Sequence, residues 1–140
     1  MSPERPLVLI GAGKMGGALL DGWLASGVDP AAIVVVEPQP DPGYATLATA
    51  GLRVVAEPPS APASVIVIAV KPHLVAGVLP GLAGSIDGET LLVSIAAGVK
   101  LDKLAESGAR ALVRAMPNTP ASVGAGATVA VARGAGEAQT

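Results

Sequence analysis

The sequence predicts an α/β domain built on a mostly parallel, doubly wound sheet with helices on both faces. Three observations predict this class. Short apolar runs rich in β-branched residues recur along the chain, a segment with helical spacing follows the first run, and a glycine-rich turn joins the two. Apolar runs without polar alternation are typical of strands that are buried on both faces of a parallel sheet.

Seven such runs are predicted to be strands. They are Leu7 to Ile10, Ile33 to Val36, Arg53 to Val55, Val65 to Val70, Leu91 to Ile95, Ala111 to Ala115 and Ala127 to Val131. Strands that alternate with helices are joined by right-handed crossovers. Ligands of such sheets bind beyond the carboxyl ends of the strands, so the segments that follow these runs are the first candidates for a site.

The first helix is predicted between the first two strands. One face has the i, i+3, i+4, i+7, i+8 spacing of a buried stripe, with Asp21 on the opposite side. The predicted buried positions are Met15, Ala18, Leu19, Gly22 and Trp23. The stretch from Glu57 to Ser64 is rich in proline and is predicted to be a loop that leaves less room for a helix.

Composition and length predict one domain over residues 1–133, followed by a frayed or truncated end at 134–140 that is rich in Gly and Ala. Phe is absent and the net charge is −2, with Lys and Arg scattered. A nucleic-acid partner is therefore not expected, because both a basic patch and stacking aromatics are missing. The absence of Cys and the single His argue against a metal site.

No membrane partner is expected either. The uncharged stretches at 72–86 and 115–132 are interrupted by Pro, Gly and polar residues. The apolar run at 7–10 is too short for the core of a signal peptide, so a cytoplasmic location is the default expectation.

The turn after the first strand carries a dinucleotide-binding fingerprint of the Rossmann type. Its residues are Gly11, Ala12, Gly13, Lys14, Met15 and Gly16. Gly11 permits the tight turn, Gly13 lets the backbone approach a pyrophosphate, and Gly16 allows close packing of helix on strand. The following helix offers unpaired N–H groups and a positive dipole end. The alternative is a flexible strand-helix turn without a ligand.

Glu37 ends the second predicted strand, about 20 residues beyond the last glycine, where an acidic side chain binds the ribose 2′-hydroxyl of the adenosine. This position favours NADH, because a 2′-phosphate would meet a like charge. The alternative is a solvated carboxylate at a strand end. The cofactor is therefore predicted to be NADPH or NADH.

Four segments taken together resemble pyrroline-5-carboxylate reductase, over nearly the whole chain. They are Ile-Gly-Ala-Gly-Lys-Met-Gly-Gly-Ala-Leu at 10–19, Ala-Val-Lys-Pro-His at 69–73, Ser-Ile-Ala-Ala-Gly-Val at 94–99 and Arg-Ala-Met-Pro-Asn-Thr-Pro-Ala at 114–121. The first segment fits many Rossmann dehydrogenases, whereas the other three in this order are specific. The resemblance implies an NAD(P)H-dependent oxidoreductase that reduces a C=N bond, converting 1-pyrroline-5-carboxylate to L-proline.

The resemblance also implies a division of labour within the site. Residues 11–16 would cradle the pyrophosphate, and Asn118 would sit by the reacting ring, held by the flanking Pro117 and Pro120. The nicotinamide ribose side would be lined by Ala69, Val70, Lys71, Pro72 and Ala96.

Family members look like this chain plus a helical C-terminal domain that builds the dimer and holds the substrate carboxylate. The 140-residue chain alone is therefore expected to be inactive, and a homo-oligomer is expected only where that domain is present. Two alternatives stay open: a fragment of a hydroxyacid-type dehydrogenase, and a stand-alone nucleotide-binding or sensing module without catalysis.

Overall fold

Seven strands form one sheet in the computed structural model, which describes residues 4–11, 14–37, 51–96, 99–117 and 128–133. The spatial order is β3-β2-β1-β4-β5-β6-β7. The strands are β1 Leu7–Ile10, β2 Ile33–Val36, β3 Arg53–Val55, β4 Val65–Ile68, β5 Leu91–Ser94, β6 Ala111–Pro117 and β7 Thr128–Arg133. Strands β1 to β6 are parallel and β7 runs antiparallel to β6, which confirms the mostly parallel sheet.

β1 is an interior strand of the sheet and pairs with both β2 and β4. Leu7 is in register with Ile33 on one side and with Val65 on the other. The order of the strands reverses at β1, because the chain first moves outward through β2 and β3 and then returns to β4. Such a switch point leaves a crevice beyond the carboxyl ends of the central strands, where ligands bind in open α/β sheets.

The predicted strands are confirmed, with small differences at their ends. β4 ends at Ile68 instead of Val70, and β5 ends at Ser94 instead of Ile95. In both cases the next amide still continues the ladder: the N–H of Ala69 donates to the carbonyl of Ile10 at 2.8 Å, and the N–H of Ile95 donates to that of Ile68 at 3.0 Å. The apolar runs therefore extend slightly beyond the strands themselves.

Helices cover both faces of the sheet, as predicted. α1 (Lys14–Ala25) packs on one face, and α2 (Val75–Val78) and α3 (Leu101–Ala105) on the other. α2 is extended on both sides by 3-10 turns at Pro72–Leu74 and Leu79–Ser85. Alternation along β1 separates the two cores, since Leu7 and Leu9 face α1 while Val8 and Ile10 face the other layer.

The predicted buried face of α1 is wrong in one respect. Gly22 is exposed, whereas Leu20, which was not predicted to be buried, is fully buried; the side chain of Met15 lies outside the described part of the helix. Gly16 is packed against the preceding turn and fixes the rotation of the helix, so the buried stripe runs through the positions that follow it at helical spacing, Leu20 and Trp23. Asp21 is exposed, as predicted.

An ion pair ties the start of β1 to the loop before β5, at the edge of the sheet opposite the carboxyl ends. Arg5 donates from Nη1 and Nη2 to the two carboxylate oxygens of Asp87, at 2.7 and 3.0 Å. The N–H of Glu89 donates to the same carboxylate at 2.9 Å. The Arg5 guanidinium, together with this amide, holds the pKa of Asp87 well below its ordinary range.

Candidate functional site

The carboxyl ends of β1, β2, β4 and β5 lie at one edge of the sheet, because these strands are parallel and adjacent. Four of the residues predicted to bind a cofactor follow these ends, each from a different strand. They are Gly11, Glu37, Ala69 and Ala96. The fold therefore brings together candidates that are far apart in the sequence.

Gly11 makes the turn after β1 and cannot carry a side chain there. Its φ is +88°, and an added Cβ would lie 2.8 Å from Cγ1 of Val70 and 3.3 Å from the carbonyl oxygen of Ala69. Its N–H donates to the carbonyl of Val36 at 2.9 Å. The turn is therefore held against β2 and β4 at once, in a conformation that favours glycine.

Gly16 brings the first turn of α1 onto this same turn. An added Cβ would collide with the carbonyl of Gly11 and lie 3.2 Å from Cβ of Ala69. The first N–H groups of α1 have no intrahelical partners, and they carry the positive end of the helix dipole. Lys14 and Met15 lie in this first turn, whereas Ala12 and Gly13 fall outside the described residues.

A cavity of about 600 Å³ opens beside Gly11. Its walls come from the ends of β1 and β2, the segment after β3, and the helical segment after β4. The lining residues are Ile10, Gly11, Val36, Glu37, Ala56, Pro58, Val70, Leu74, Gly77, Val78 and Gly81. Within the described part of the chain, Glu37 is the one charged residue of this lining.

Glu37 is half-buried at the end of β2, and its backbone is fixed by β3. Its N–H donates to the carbonyl of Val55 at 2.9 Å. The preceding carbonyl, that of Val36, accepts the hydrogen bond from Gly11. The carboxylate therefore belongs to a rigid rim that is directly connected to the glycine turn.

In the Ala-Val-Lys-Pro segment, Val70 faces the cavity and Lys71 is exposed to solvent. Val70 lines the cavity and Ala69 packs against the α1 layer. Lys71 is exposed, and its carbonyl accepts a hydrogen bond from the N–H of Leu74 at 2.9 Å. Pro72 then starts the 3-10 turn that leads into α2.

Ala96 is buried beyond the end of β5. Its N–H donates to Oγ of Ser94, a side chain that is itself fully buried, at 3.2 Å. A small residue is therefore held close to the edge of the sheet. Asn118, which follows β6, lies outside the described residues, as do Ala97 and Gly98.

Sequence reasoning missed the wall that α2 and its neighbours contribute. The stretch at 72–86 contains no Asp, Glu, Lys or Arg, so no charged residue indicates a site there. The spacing of Gly77 and Gly81, four residues apart, could have indicated that both lie on one face of a helix. In the structure that face is open, since an added Cβ at either position would meet nothing within 4 Å. Ala56 and Pro58 also line the cavity, and the sequence analysis did not identify them as site residues.

The described ranges contain no group of His, Cys, Asp and Glu residues that could hold a metal ion. None of the described helices combines the length and the apolar character needed to span a membrane. The arrangement instead fits an elongated ligand with an anionic centre at the start of α1 and a less polar end in the cavity.

Comparison with known proteins points in the same direction. Residues 6–98 match the model of a family described as NADP oxidoreductase, coenzyme F420-dependent. The pyrroline-5-carboxylate reductase of Escherichia coli (strain K12) is 43% identical over 130 residues, which cover 89% of this chain and 48% of the relative. The chain thus spans about half the length of the curated relatives it matches.

Two solved structures share the fold. The pyrroline-5-carboxylate reductase from Coxiella burnetii has a TM-score of 0.83 at 31% identity, covering 97% of this chain and 53% of that one. The pyrroline carboxylate reductase from Plasmodium falciparum, solved with NADP bound, has a TM-score of 0.74 at 23% identity, with coverages of 99% and 52%. The resemblance identified from the four sequence segments is confirmed.

Proposed function

Because the chain belongs to the family of NADP oxidoreductases whose model it matches, we propose that it is the NAD(P)H-binding part of a pyrroline-5-carboxylate reductase. The observation that carries this proposal is the glycine turn between β1 and α1. Side chains are excluded at Gly11 and Gly16, the start of a twelve-residue helix lies beside them, and a cavity opens next to the turn. This is the setting in which a glycine fingerprint binds a pyrophosphate.

In this proposal, different groups of residues bind different parts of the cofactor. Residues 11–16 bind the pyrophosphate, and the cavity beside Glu37 receives the adenosine end. Ala69, Val70, Lys71, Pro72 and Ala96 line the nicotinamide ribose side, where small side chains let a flat ring lie close to the backbone. Val70 lies between the two ends of the cofactor, because it also lines the cavity. Asn118 positions the reacting ring.

The reaction proposed for the whole protein is the reduction of 1-pyrroline-5-carboxylate to L-proline. The reduced nicotinamide supplies a hydride to the imine carbon, and the imine nitrogen carries the proton. The protein mainly holds the two reactants in register and excludes water, so it needs little acid-base chemistry of its own. Groups for the substrate carboxylate are expected in the part of the relatives that this chain does not span.

We assign residues 1–133 to the cofactor-binding domain and 134–140 to its end. The proposed location is the cytoplasm, the partner is the small-molecule substrate, and assembly into a homo-oligomer is assigned to the helical domain of the longer relatives. Neither a membrane nor a nucleic-acid partner is proposed.

Calorimetric titration of the purified chain with NADH and NADPH, followed by an assay with 1-pyrroline-5-carboxylate, tests the proposal. We expect binding of a reduced nicotinamide cofactor and no proline formation. Robust turnover by the 140-residue chain would contradict the assignment of the substrate groups to another domain. Absence of binding with both cofactors would overturn the proposal itself.

A further inference from the structure

We propose that this chain selects NADH over NADPH and that Glu37 is the residue that determines the choice. The inference rests on the proposed function, since it concerns which form of the cofactor enters the same site. It goes further than the proposed function because the description of the matching family names NADP, whereas we infer a preference for NADH.

The first step concerns the position of the carboxylate. Glu37 lines the cavity directly beyond β2, one residue after the carbonyl that holds the glycine turn. Its own N–H is bound to the carbonyl of Val55 at 2.9 Å. Moving the Glu37 backbone away from a bulky ligand would therefore break this hydrogen bond, which lies at the end of the pairing between β2 and β3.

The second step concerns what a carboxylate recognises. An ionised carboxylate is an acceptor only, and it binds a ribose that presents hydroxyl donors. A phosphate monoester at the 2′ position carries about −1.5 to −2 charges at neutral pH and has no donors to offer. The same carboxylate therefore attracts the ribose of NADH and repels that of NADPH.

The third step is the absence of a compensating cation. The described lining of the cavity contains no Lys or Arg. The sequence from 38 to 52 adds none, and it contains a further carboxylate at Asp41. Arg53 begins β3 in register with Val34, so its backbone lies three residues, or roughly 10 Å, before the level of Glu37 along the strands.

Two cations, Lys71 and Lys100, follow β4 and β5 at the same edge of the sheet in the described part of the chain. Both are exposed and neither lines the cavity. The other described residues of the lining are uncharged, so a phosphate beside Glu37 would be partly desolvated and weakly screened.

The test measures dissociation constants of NADH and NADPH by calorimetry at fixed low salt, for four proteins: the unmodified chain, Glu37→Ser, Glu37→Gln and Glu57→Gln. We expect the unmodified chain to bind NADH more tightly. Both Glu37 variants should shift the ratio of the two constants toward NADPH by about 5- to 30-fold. Glu37→Gln keeps the size of the side chain, so its shift isolates the charge.

Glu57→Gln is the matched control. Glu57 is exposed and lies between Ala56 and Pro58, which both line the cavity, but it is not itself part of the lining. Its neutralisation changes the net charge equally, and we expect it to change the ratio by less than about twofold because solvent and salt screen an exposed charge.

Equal or tighter binding of NADPH by the unmodified chain would overturn the inference and leave the proposed function standing. So would a ratio that Glu37→Ser and Glu37→Gln leave unchanged, or one that Glu57→Gln shifts as much as they do. Loss of binding of both cofactors by the unmodified chain would overturn the proposed function, and the inference with it.

Discussion

The described glycines differ in whether their backbone conformation or their close neighbours require a residue without a side chain. Gly11 combines a positive φ with close neighbours, Gly27 has a positive φ of 98° in open space, and Gly22 has neither constraint. The sequence alone identified Gly11 through the fingerprint. It could not distinguish Gly22 from a buried helical residue, because a glycine fits either side of a helix.

Gly11→Ala should lower the free energy of unfolding by about 1 to 3 kcal/mol, because it adds backbone strain and a clash with Val70. Urea denaturation of the variant measures this. Gly27→Ala is the control, since its φ is similar but an added Cβ would meet nothing within 4 Å. Equal losses in the two variants would mean that the contact with Val70 relaxes without cost.

Gly13→Val is expected to act on binding. A branched side chain at the proposed point of closest approach to the pyrophosphate should weaken NAD(P)H binding at least about tenfold, which corresponds to about 1.4 kcal/mol. The thermal midpoint should change much less. A collapse of the midpoint with unchanged affinity in the folded fraction would make Gly13 a packing residue.

At the scale of elements, the strands were predictable and the helical wall of the cavity was not. Strands β1, β2 and β3 match the predicted ranges; β1 and β2 are wholly apolar runs, and β3 is a short run of two valines after Arg53. The rotation of α1 depends on a tertiary contact of Gly16, and the role of α2 depends on what lies opposite it. Neither is encoded in a local pattern.

Gly77→Leu tests the α2 wall. The new side chain would project from a position that lines the cavity and has no neighbour within 4 Å, so we expect NAD(P)H affinity to fall about tenfold or more. Calorimetric titration measures the effect. Gly22→Leu is the matched control: it also replaces an exposed helical glycine, but it lies on α1 away from the cavity. Similar affinities in the two variants would remove α2 from the site.

At the scale of the whole molecule, the proposed cofactor site lies at one end of the strands and an ion pair lies at the other. Arg5, two residues before β1, pairs with Asp87 in the loop before β5, and Ser64 adds a hydrogen bond from its Oγ to the carbonyl of Arg5 at 2.7 Å. The start of β1 is thereby tied to the segments that precede β4 and β5. Because the proposed site and this ion pair share no residues, we expect changes at the ion pair to affect stability more than cofactor binding.

Acid should reveal the contribution of this ion pair. The pKa of Asp87 is lowered in the folded state, so its stabilisation is fully present above the ordinary value of 3.8 and is lost as the pH falls below it. We expect Asp87→Asn to be less stable than the unmodified chain near pH 7 and to lose less stability between pH 5 and pH 3. Thermal unfolding across this range measures the difference. Asp21→Asn, on the exposed side of α1, serves as the control, and an identical pH profile for the two variants would contradict the expectation.

The interior position of β1, between β2 and β4, also bears on how the chain is synthesised. β1 leaves the ribosome before the other strands of the sheet, yet one of its edges can be filled only when residues 33–36 have emerged and the other only when residues 65–68 have followed. Until then its backbone presents unpaired donors and acceptors to any nascent neighbour. A pause in translation between these two segments would prolong that exposure, so we expect slow codons there to favour misassembly. Slow codons after β4 should have less effect, because both edges of β1 can by then be paired.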